Sequence, residues 1–92
     1  MHLTYDPEAR AVYVTLRDVP SVDYTRELDT DRLVDYVAGE PVGVELLNVH
    51  LGVNTDGLPA AERIAQLLRQ ELGMRPARQY LLPAEPGPMP VR

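Results

Sequence analysis

Apolar and polar residues alternate through the first half of this chain, and the alternation breaks at short polar or Gly/Pro-containing stretches. A period of two predicts β-strands. Residues 2–5 form a first short alternating stretch. Residues 11–17 give the cleanest one: Val12, Val14 and Leu16 fall on one side, Tyr13, Thr15 and Arg17 on the other. Residues 22–28 place Val22, Tyr24 and Leu28 opposite Asp23, Thr25 and Glu27. Two further strands, at 33–38 and 42–48, flank Gly39, Glu40 and Pro41. The connections are turn-like. Asp6 to Arg10 contains a proline and an aspartate able to accept from nearby amides. Asp18 to Ser21 contains Pro20, and Asp29 to Asp31 is wholly polar. Loops this short require antiparallel neighbours.

The last hairpin decides which residues are buried, because a one-residue slip turns a whole strand over. A two-residue loop, Gly39-Glu40, puts Asp35 among apolar side chains, at a cost of a few kcal/mol or more. A three-residue loop, Gly39 to Pro41, groups Val34, Tyr36 and Ala38 with Val42, Val44 and Leu46. It turns Asp35 outward, opposite Glu45. The three-residue register is therefore expected. Leu33, Val37, Leu47 and Val49 remain on the second face beside the two acids, so the sheet needs two covers.

After residue 49 the period changes. Residues 50–57 are irregular. Pro59 suits the first helical position, and Ala61, Ile64, Ala65, Leu68 and Leu72 recur at helical spacing with Arg63, Gln66, Arg69 and Gln70 opposite. Gly73 supplies a left-handed cap. The pattern predicts a helix over 59–72. Residues 74–82 read as an extended arm, and 83–92, with four prolines, as a flexible tail. The fold class expected is α+β: a five-stranded, mainly antiparallel β-meander with one C-terminal amphipathic helix packed on a face, in a single domain over 1–82.

Composition narrows the function classes. The 92 residues contain no Cys, so disulfides, thiol catalysis and Cys-ligated zinc are excluded. A cytoplasmic location is compatible with this. No apolar run approaches ~18 residues, and no signal-like stretch follows Met1, so no membrane association is expected. The net charge is −5. Residues 1–56 carry eleven acids against four Arg, and 57–92 carry three acids against five Arg. An acidic sheet repels phosphate, so no nucleic acid is expected to bind through it, and a basic protein is the complementary partner.

Two motifs resemble a known family. Tyr5 to Leu16 reads YDPEARAVYVTL, and the later hairpin contains LVDY at 33–36 and VGVELLN at 42–48. These are similar to the YDPEADALYI opening and the LVDxD…VVGIEIL close of the domain of unknown function 2283 family, over roughly residues 1–50. Arg10 stands where the family has an acid, Val37 replaces its second acid, and the 39–41 turn is shorter. The resemblance implies a small antiparallel sheet with no established activity. Through members encoded beside small toxin-like proteins, it also implies an antitoxin-like, partner-binding role.

The candidate contact residues are Asp35, Glu45 and Tyr13. The two acids are expected to face each other, with Arg17 or Arg26 in reach, and Tyr13 lies opposite Val12 and Val14, where an interface would use its apolar body and polar tip. Gly43 implies a close neighbour, expected to be the Tyr36 ring. Histidine occurs only at His2 and His50, without metal-binding spacing. The leading expectation is a non-catalytic binding module without cofactor, acting as partner of a small basic toxin and paired as a homodimer. The alternative is a metal-binding protein or hydrolase using Asp35, Glu45 and a histidine.

Overall fold

The structure is a computed structural model, described here over residues 1–74. Five strands and one helix follow in order: β1 His2–Asp6, β2 Ala11–Thr15, β3 Tyr24–Asp29, β4 Arg32–Val37, β5 Glu40–Leu46, a 3-10 turn at Val49–Leu51, and helix α1 Ala61–Leu72. The expected arm over 74–82 and tail over 83–92 lie, beyond Met74, outside the described residues.

All strand pairs are antiparallel, and the helix packs on one face, as the pattern predicts. The spatial order is β1-β2-β5-β4-β3. This departs from a simple meander: β3, β4 and β5 run as one, and the β1–β2 hairpin docks on the far side of β5. The 16–23 connection therefore passes the end of the sheet. It is held there by Leu16 and Arg17 amides donating to the Val42 carbonyl and by Asp23 N–H donating to the Tyr36 carbonyl.

The β4–β5 turn departs from the expected three-residue loop. Val37 pairs with Glu40, leaving Ala38-Gly39 as a two-residue turn with φ of 52° and 78°. Two positive φ values make this the I′ type, whose twist matches that of the strands. The Ala38 amide donates to Asp23 Oδ2 at 2.8 Å. Tyr36 then pairs with Pro41 but Asp35 with Gly43, so Val42 is an extra residue in β5. Without this bulge Asp35 would lie opposite Val42 and Val34 opposite Gly43. With it, Val34 meets Val44 and the charge leaves the core.

The core lies between the helix-side face of the sheet and α1. Val12, Val14, Val34, Val44 and Leu46 project from the strands, and Ile64, Leu67 and Leu68 from the helix. Each helix side chain contributes about 1.5–3 kcal/mol of burial. Leu67 falls outside the predicted stripe, yet it is buried. The loop after β5 supplies Val49, Val53 and Leu58 to the same core. Arg32 ties this loop to the sheet: Nε pairs with Asp29 Oδ2 at 2.9 Å, and Nη1 donates to the Asn54 and Asp56 carbonyls. Pro59 precedes the helix rather than opening it. The N-cap is Ala60, at φ 54° and ψ 39°, and Gly73 closes the C-terminus, its amide donating to the Arg69 carbonyl and that of Met74 to the Leu68 carbonyl.

Candidate functional site: the open face of the sheet

Alternation along each strand gives the sheet a second face, away from α1. From the pairing, Thr4 and Asp6 of β1, Ala11, Tyr13 and Thr15 of β2, Gly43 and Glu45 of β5, Leu33, Asp35 and Val37 of β4, and Thr25 and Glu27 of β3 share it.

Asp35 is the centre of a hydrogen-bonded row across this face. Thr25, its direct neighbour on β3, donates from Oγ1 to Asp35 Oδ1 at 2.6 Å. Tyr13 lies two strands away in the other direction, on β2, and its Oη donates to Asp35 Oδ2 at 2.6 Å. The phenol reaches Asp35 by lying across Gly43. A Cβ on Gly43 would overlap the Tyr13 phenol oxygen and ring. Gly43 therefore provides the clearance that lets a β2 side chain reach β4. Its close neighbour is Tyr13, not the expected Tyr36. Tyr36 instead stacks on Tyr24 of β3, centroids 5.0 Å apart, with the Arg26 guanidinium 5.9 Å from its ring.

Asp35 and Glu45 share the face but do not oppose each other as expected. The bulge places Asp35 opposite Gly43 and Glu45 opposite Leu33 on one side and Tyr13 on the other. Neither carboxylate is relieved by Arg17 or Arg26; Asp35 is satisfied by two hydroxyls. Burial pushes the Tyr13 phenol up to about 12, with the hydrogen bond to Asp35 and the charges of Asp35 and Glu45 adding to it. At neutral pH it is a fixed donor, and so unsuited to act as a base.

Beside Tyr13 the face dips. A shallow cleft of about 220 Å³ is lined by Thr4, Asp6, Ala9, Ala11, Val12, Tyr13 and Glu45. Asp6 Oδ1 is occupied by the amides of Glu8 and Ala9 in the β1–β2 turn, at 3.1 and 3.2 Å.

The alternative built on Asp35, Glu45 and a histidine is not assembled. His2 begins edge strand β1 opposite Thr15, and His50 lies in the 3-10 turn. Among the described residues no three His, Asp or Glu side chains come together in a way that could hold a metal ion. Nor is any described helix long and apolar enough to cross a membrane.

Comparison with known families falls on this same sheet. A family model described as a protein of unknown function, DUF2283, matches residues 2–50, just over half of the 92. The chain belongs to DUF2283. The match spans every strand of the sheet and stops before α1. No curated protein and no solved structure gives a significant match. Within this DUF2283 chain, the sequence singled out three residues of the open face, Tyr13, Asp35 and Glu45. It missed Thr25, although the antiparallel turn at Thr30-Asp31 brings Thr25 opposite Asp35, and it assigned the wrong ring to Gly43.

Proposed function

We propose that this protein is a non-catalytic binding module whose open sheet face engages a cationic protein. The finer form of this reading is an antitoxin-like partner of a small basic toxin. One observation carries it: Asp6, Glu27, Asp35 and Glu45 share the open face, and none of the four makes an ion pair with Arg or His among the described residues. Leu33, Val37 and Tyr13 lie between them half-buried, so a partner would cover apolar surface as well as charge. Interfaces of this kind draw opposite potentials together and lose affinity as salt rises. A second copy docked face to face would bring like charges together, so a basic partner fits this face better than the homodimer expected from the sequence.

The test is co-purification of the full chain with the basic product of a neighbouring gene. Binding should weaken from low to physiological salt, and should be lost in a variant carrying Asp6→Asn, Glu27→Gln, Asp35→Asn and Glu45→Gln. Undiminished binding by that variant, with its spectrum unchanged, would sink the reading.

A further inference from the structure

We infer that the cleft beside Tyr13 is a receptor for one arginine side chain of the partner, an assignment that rests on the proposed binding role of the open face. Three features of the cleft converge on a guanidinium. Ala9 and Ala11 in its lining are small and apolar, suited to an aliphatic stem. Tyr13 lines it as well, and guanidinium groups stack favourably on aromatic rings. Its lining includes two acidic residues, Glu45 and Asp6.

The carboxylates are not equivalent. Asp6 has one oxygen committed to the turn amides, which fixes its position and leaves Oδ2 for a ligand. Glu45 is a half-buried residue, and its carboxylate makes no hydrogen bond or ion pair with any described residue. A planar fork of donors satisfies both oxygens of such an unpartnered carboxylate at once. Tyr13 cannot take that role, because its one hydroxyl proton is committed to Asp35. That bond in turn fixes the orientation of the phenol. Asp35, already accepting from Tyr13 and Thr25, positions the ring and is not expected to be the main contact. A lysine would meet the charge but not the fork or the stacking.

The experiment is an amide-resolved NMR titration of the full 92-residue chain with a short capped peptide carrying a single arginine. Parallel titrations use the citrulline and lysine versions. Saturable shifts should centre on residues 4, 11, 13 and 45. The citrulline peptide should bind roughly tenfold more weakly or worse, as expected for loss of a charge-assisted hydrogen bond. Glu45→Gln should weaken the arginine peptide by about the same factor. Glu71→Gln, an exposed acid on α1, should not. Ala11→Leu, which adds bulk to the lining without altering charge, should abolish the shifts. Equal losses in the Glu45 and Glu71 variants, or equal binding of citrulline and arginine, would overturn the assignment. So would contacts from the Tyr13 ring to Arg75, Arg78 or Arg92 of the same chain, which would make the occupant internal. Salt-sensitive binding of polyarginine that survives such a failure would leave the open face as a binding surface and remove only the cleft. Loss of both would remove the two readings together.

Discussion

Gly43 is where one missing methyl group decides the chemistry of a face. Gly43→Ala would force the Tyr13 phenol off Asp35, because the new Cβ would occupy its place. The expected cost is about 1–3 kcal/mol, typical of overpacking, measured by chemical denaturation. Tyr13 would then titrate lower than in the native chain, because the hydrogen bond to Asp35 that helps raise it is lost. In the native chain its phenolate absorbance should appear only near pH 12. The pH dependence follows in sign. The folded phenol holds its proton more tightly than the unfolded one, so the stabilisation is whole below about pH 10 and is lost as pH rises towards about 12. Denaturation midpoints compared across that interval should fall in the native chain more than in Tyr13→Phe. At this scale the sequence was partly legible. The alternation of 11–17 put Tyr13 on the outer face, and the glycine announced a close approach. Which ring approached was not legible, because that depends on a diagonal reach over a neighbouring strand.

The β4–β5 hairpin and α1 each contain an alanine in the left-handed region, Ala38 and Ala60. Residues with a Cβ adopt that region at a cost of about 1–2 kcal/mol. Replacing Ala38 by Asn would create Asn-Gly, the dipeptide favoured for this turn, and should raise stability by about 0.5–1 kcal/mol. A shift in denaturation midpoint of the opposite sign would contradict the two-residue turn. These alanines explain why element boundaries were harder to read than element types. Nothing in the residue type at 38 signals a turn, so the loop was placed at the visible glycine and proline. The bulge at Val42 then restored the inward and outward sides that a displaced loop had been invoked to explain. Pro59 misled in the same way: it lies before the N-cap, where its fixed φ still helps lead the chain into α1. The buried loop residues Val53 and Leu58 carry no period, and no pattern could have assigned them to the core; Val49, which alternation put on the second face, joins that core because β5 ends at Leu46.

For the whole molecule, stability depends on one layer of side chains between sheet and helix. Ile64→Ala or Leu68→Ala should each cost about 2–5 kcal/mol. In a domain whose total margin is on the order of 5–15 kcal/mol, either should lower the thermal midpoint by many degrees in calorimetry. A change near zero would mean that α1 does not cover the sheet. The fold class was legible because two periods, of two and of 3.6, divide the chain cleanly. The strand order was not, since short loops fix which neighbours are antiparallel but leave open on which side the first hairpin docks.

The DUF2283 match ends at residue 50, yet Ile64, Leu67 and Leu68 seal Val12, Val14, Val34, Val44 and Leu46 from water. The stretch that carries the kinship is therefore not, by itself, a self-sufficient unit in this chain. Cut free after residue 50, it would bare a continuous oily plate and should clump or borrow a lid from whatever lies nearest.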